Sequence, residues 1–73
     1  QELLTAERAA VLIRGEGGDG SGLHLGPGLF LTNEHVIERQ GEEVTVHSRA
    51  FGSAKGRPEI LFSDRMLDLA LFR

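Results

Sequence analysis

Apolar residues in this chain fall in short runs, and a turn signal breaks each run. Residues 10–14 (AVLIR) form a compact aliphatic and β-branched run and predict a first strand. The stretch 15–20 (GEGGDG) reads as a flexible turn, because glycine accepts backbone angles that other residues avoid. Residues 21–25 (SGLHL) predict a second strand. A turn at Gly26, Pro27 and Gly28 leads into Leu29–Thr32 (LFLT), the third, so these two strands should form a tight hairpin. Residues 44–47 (VTVH) alternate and predict a fourth strand. Residues 60–62 (ILF), after Pro58, predict a fifth, and Leu69–Phe72 (LALF) a sixth.

Helical signals are fewer. Residues 2–10 (ELLTAERAA) have helix formers and apolar spacing for one or two turns. A short helical turn over residues 35–38 follows the third strand, with Thr32 or Asn33 as its cap and Gly41 as its end. Six short strands with regular turn signals predict an all-β fold, closed as a small six-stranded barrel. No internal repeat or linker divides the chain, so residues 1–73 read as one domain. The last apolar strand meets the chain end without a turn, and the first residue is Gln1. Both features suggest a cut or processed piece.

Composition changes this picture little. The chain has 73 residues, 40% hydrophobic and 26% charged, which suits a folded domain and argues against disorder. So short a chain buries only roughly 60% of its unfolded surface, so its core is marginal. The net charge is −3, which gives no reason to expect nucleic acid or an acidic membrane surface as a partner. Arg49, Lys55 and Arg57 share one glycine-containing segment with no aromatic interleaving beyond Phe51, and this segment reads as a solvated loop. No apolar run is long enough to span a membrane. The absence of cysteine removes disulfides and thiol chemistry and leaves the compartment open.

Three histidines remain as candidates. His24 and His47 sit in predicted strands and read as surface or half-buried strand residues. His35 sits at a strand-to-helix junction, where backbone geometry can hold a side chain firmly. His24, His35, His47 and Asp19 lack the paired spacings of common zinc sites, so no metal or other cofactor is expected. Asp68 lies between two apolar residues at the entrance to the sixth strand and needs a partner, because burying a lone carboxylate is costly. It either binds backbone amides in a turn, as Asp64 is expected to do, or accepts the Nδ1–H of His35. The second option leaves Nε2 free to take a proton.

LTNEHVIE, with His35, resembles the threonine-asparagine-alanine-histidine-valine motif around the catalytic histidine of trypsin-like serine peptidases, especially their bacterial Deg-type branch. LDLALFR, with Asp68, is similar to the leucine-aspartate-leucine-alanine-leucine motif around their catalytic aspartate. GSGLHLGPGLFLTN resembles the strand and hairpin that lead into the histidine motif. The three motifs occur in the family's order and cover most of the chain. The resemblance implies the N-terminal one of two six-stranded Greek-key barrels. It implies His35 as general base and Asp68 as the residue that orients it. The family's serine nucleophile, oxyanion hole and most of its specificity pocket belong to a C-terminal barrel that has no counterpart in these residues. That second barrel and a protein or peptide substrate are the implied partners, and this chain alone is expected to be inactive.

Two departures accompany the resemblance. Glu34 stands beside the implied base, where the family usually has a small residue. GDGSG, at residues 18–22, looks superficially like the family's nucleophile motif, but Ser21 precedes His35 and sits in the leading strand, where the family has a serine that is not the nucleophile. Ser48, Ser53 and Ser63 have no supporting context. The alternative expectation is a non-catalytic β-barrel module that kept the motifs and binds a peptide or partner subunit.

Overall fold

Val11 and Ile13 point into the core from the first strand, while Leu12 and Arg14 point outward. That alternation is the strand period written in side chains. The computed structural model describes residues 9–40 and 43–73, and seven strands recur within them. They are β1 (Ala10–Gly15), β2 (Gly18–Gly26), β3 (Leu29–Thr32), β4 (Val44–Ser48), β5 (Gly52–Gly56), β6 (Ile60–Asp64) and β7 (Leu69–Phe72). One short helix, α1 (Glu34–Glu38), lies between β3 and β4. The helical turns expected over residues 2–10 lie outside the described residues as far as Arg8, and Ala10 already belongs to β1. Gly41, the expected end of the second helical turn, also lies outside them.

All seven strands form one antiparallel sheet in the order β5-β4-β1-β2-β3-β7-β6. Strands β1, β2 and β3 follow one another through hairpins, and β4 returns to lie beside β1. That arrangement is a Greek key. The hairpin turn before β3 is present as expected, with Gly28 at φ +68, a conformation open to glycine.

The closed six-stranded barrel is a misreading of the sequence in two respects. A seventh strand exists, and the sheet is open between β5 and β6. The segment read as a solvated loop contains β5, which pairs with β4 from Val44↔Gly56 to Ser48↔Gly52. Every residue of β5 is exposed, so it carries no buried face and therefore no alternation to read. Lys55 on this edge suits a strand that must resist further pairing. Residues 57–59 join the two edges, and Pro58 there has no N–H to donate to a closing ladder.

The core gathers Val11, Ile13, Phe30, Val36, Val44, Val46 and Phe72, with Ile37 packed against it. These residues come from four strands and the helix, so the open sheet is curled around them. Rings extend the core at one end. Phe72 stacks on Phe30 at 5.3 Å, Phe30 stacks on His24 at 5.1 Å, and Phe51 meets His24 edge-on at 5.2 Å. A cavity of about 150 Å³ lies against this stack, lined by Phe30, Val44, Val46 and Phe72 and by the residues around Pro58.

The outer face is also apolar. Cross-strand register places Leu23 opposite Leu31, Leu31 opposite Leu71, and Leu71 opposite Phe62. Leu23 and Phe62 at the ends of this row are exposed. Leu25, Ile60 and Leu61 on the same strands are exposed as well.

Candidate active site

The ladder between β3 and β7 brings together two segments far apart in sequence. Thr32 pairs with Ala70. Continuing that antiparallel register beyond the strand ends sets the start of α1 opposite Asp68. His35 and Asp68, 33 positions apart, meet there, with His35 Nδ1 2.7 Å from Asp68 Oδ2. The His35 backbone N–H donates to the other carboxylate oxygen, Oδ1, at 3.0 Å. Asp68 therefore grips one residue twice. Because its carboxylate is an acceptor, the facing Nδ1 carries the proton and the neutral ring leaves Nε2 as an acceptor. Among the described residues nothing bonds Nε2, and the His35 side chain is 56% exposed.

Helix α1 rests on the β1–β2 hairpin through close approaches. At Gly20 a Cβ would lie 2.6 Å from Val36 Cγ1, so the buried Val36 uses the space that any side chain there would take. At Gly17 a Cβ would run into the Arg39 carbonyl. Gln40 then ties the two elements together. Its amide nitrogen donates to the carbonyls of Gly18 (3.1 Å) and Val36 (3.0 Å), and its oxygen accepts from the Gly17 N–H (3.2 Å). Arg39 donates to the Asp19 carbonyl.

Asp68 is delivered by the turn at residues 65–68. Asp64 Oδ1 accepts from the N–H groups of Met66 (2.9 Å) and Leu67 (3.0 Å), the turn bonding expected for it. Arg65 pairs with Glu38 at 2.8 Å and so links the turn to α1. Asp68 itself has φ +57, in the left-handed region that few residues other than glycine adopt.

Of the two residues expected to cap α1, Asn33 holds the N-cap position and Thr32 does not. Thr32 is buried, and its hydroxyl donates to the Ser21 carbonyl at 2.7 Å. Asn33 occupies the N-cap position with extended backbone angles but makes no side-chain capping bond. A capping side chain is typically worth about 1 kcal/mol. Here the Asp68 carboxylate takes the N–H of His35, and the Asn33 amide nitrogen donates to the Asp68 carbonyl at 3.0 Å. This role of Asn33 is invisible in the local sequence, where the residue reads as an ordinary cap.

The other sequence candidates lie elsewhere. His24 is part of the ring stack, and Asp19 pairs with Arg14 at 3.3 Å. His47, on β4, lies opposite Leu12 and Ser53. Among the described residues no group of three or more acidic or histidine side chains is placed to hold a metal ion. Ser21 lies on β2 opposite Leu12. Glu34 is half-buried in the first turn of α1, where a carboxylate suits the helix N-terminus.

The backbone N–H of His35 is the main influence holding Asp68 below the usual carboxylate pKa, and the His35 side chain adds to it while partial burial opposes it. A carboxylate with a lowered folded-state pKa binds fewer protons in the folded chain than in the unfolded one. Its stabilising contribution is full above the unfolded value of about 3.9 and is lost as the pH falls through the lower folded value. A carbon-13 NMR titration of the Asp68 carboxyl should show its midpoint below that of an unfolded-chain aspartate. Asp68→Ala should flatten the acid limb of the stability curve measured by urea unfolding. A midpoint at or above the unfolded value would contradict the double grip on His35.

No protein-family model and no curated protein sequence matches the chain. A search of solved structures finds the serine endoprotease from Yersinia pestis, 30% identical, with a TM-score of 0.70 over 93% of this chain. This chain spans 26% of the length of that endoprotease. The likeness, together with the Greek-key sheet, supports a trypsin-like peptidase fold for these residues.

Proposed function

We propose that this chain supplies the general base and its orienting carboxylate to a serine endopeptidase of the trypsin-like class, in its Deg-type branch. The observation that carries this reading is the His35–Asp68 contact at 2.7 Å, in a fold shared with a serine endoprotease. His35 Nε2 takes the proton of a serine hydroxyl as that hydroxyl attacks a peptide carbonyl. The imidazolium then returns the proton to the departing amine. Asp68 holds the ring in the required tautomer and offsets its positive charge. The serine and the donors that stabilise the tetrahedral oxyanion come from a second barrel, outside these residues. The 73 residues alone are therefore inert towards peptides.

The row Leu23, Leu31, Leu71 and Phe62 supplies apolar area for packing against that barrel. The same row would equally serve a non-catalytic binding module. A fluorophosphonate probe separates the two readings, because it labels only a serine activated by a base. The longest polypeptide that carries this sequence in its source should be labelled, and His35→Ala should abolish the labelling. A binding module would stay unlabelled. Labelling that survives His35→Ala would also overturn the proposal.

A further inference from the structure

We infer that Asn33 is a positioning residue for the His35–Asp68 pair, resting on the reading of that pair as a catalytic base and its orienter. Its side-chain amide holds the Asp68 carbonyl, and through it the left-handed backbone from which the carboxylate reaches His35. A carbonyl oxygen only accepts, so the amide nitrogen of Asn33 faces Asp68 and its oxygen faces away. That orientation directs the one donor group of the side chain across the strand ends, away from its own helix.

The two residues have exchanged tasks. An N-cap asparagine ordinarily offers its oxygen to an N–H in the first turn of its helix. In α1 the N–H of His35 is taken by Asp68 Oδ1 instead, and Asn33 makes no capping bond. An Asn33 side chain turned back onto its own helix would compete for the first-turn N–H groups, including the one that anchors Asp68. Held by the Asp68 carbonyl, it cannot compete. The bond also secures the exit of the 65–68 turn, whose entrance is secured by Asp64 and by the Arg65–Glu38 pair. Asp68, at φ +57, lies at that exit. One short side chain thus keeps the acceptor in place and leaves the helix N-terminus open to it.

The test reads the pair directly in the full chain. Nitrogen-15 shifts of the neutral His35 ring report which nitrogen carries the proton, and carbon-13 shifts report the Asp68 carboxyl. Asn33→Ala should change the ring from mainly Nδ1–H to a mixture with Nε2–H, and should move the Asp68 titration towards that of an ordinary carboxylate. Asn33→Asp places a favoured capping residue at the N-cap position and so keeps the helix, but it cannot donate to the Asp68 carbonyl. It should shift the ring in the same direction even where melting is unchanged. A purely structural role would lower the melting temperature and leave both signals of the folded chain as they are, and that result would overturn the inference. Asp68→Ala, measured alongside, separates the two levels. If it changes the ring while both Asn33 variants do not, the pair stands and the role of Asn33 falls. If it leaves the ring unchanged, the pairing itself is wrong and the inference falls with it.

Discussion

Phe72→Ala is expected to destabilise the chain by about 3–5 kcal/mol, the range for removing a buried phenylalanine. Phe72 is 2% exposed and stacks on Phe30 at 5.3 Å. The cavity beside it is already about 150 Å³ and is lined by both rings. Removing one ring widens that pocket, whose walls include residues of the β3–β7 and β4–β5 ladders, and exposes Phe30 beside it. A domain of this size has a total stability of roughly 4–11 kcal/mol at the usual 0.05–0.15 kcal/mol per residue. The substitution therefore removes a large fraction of it, and the variant should melt at least about 12 °C lower. Phe51→Ala makes the comparison, because Phe51 is 40% exposed and only closes the end of the ring stack. Thermal unfolding of both variants by circular dichroism decides the matter. A drop for Phe72→Ala no larger than that for Phe51→Ala would mean that the core is not centred where the structure places it. The consequence reaches the site, because Phe72 pairs with Phe30 in the ladder that sets Thr32 against Ala70.

Where one face of a strand is buried, the sequence was legible. Leu29–Thr32 and Leu69–Phe72 begin and end as expected, with Phe30, Thr32, Ala70 and Phe72 turned inward at every second position. Where no face is buried, pattern has nothing to report. Gly52–Gly56 forms a strand only because β4 offers a free edge to pair with, and that information lies in another segment. The stretch read as a flexible turn shows the complementary error. Gly18–Gly20 belongs to β2, and Gly20 is small because Val36 packs where its side chain would be.

The site divides in the same way. His35 and Asp68 stood out through their motifs, and the sheet register explains how they meet. The task of Asn33 was hidden because its local chemistry supports a helix cap. A carbonyl 35 positions away won the competition for its amide.

On the proposed function, Asp68→Asn should lower kcat of the longest polypeptide that carries this sequence by about 10,000-fold, the loss that this exchange causes in the Ser-His-Asp template. By the usual conversion that is about 5.5 kcal/mol of transition-state stabilisation. The reason lies in the count of acceptors. Asparagine tolerates the left-handed backbone that Asp68 adopts at φ +57, so the turn should survive. Its side chain, however, has one oxygen where the carboxylate has two. The His35 backbone N–H cannot change its character and keeps that oxygen. The amide nitrogen is left facing His35 Nδ1, donor against donor, at a distance that is 2.7 Å in the native pair. The imidazole relieves the conflict by moving its proton to Nε2, and a protonated Nε2 cannot accept the serine proton. KM should change little, because on that reading Asp68 acts through His35 and not on the peptide. His35→Ala should cost at least as much, and adding Asp68→Asn to it should cost nothing further, since an orienter has no task once the ring is gone. Steady-state kinetics of the two single variants and the double variant measure all three terms. An additive double variant would mean that Asp68 acts on the reaction by some route other than His35.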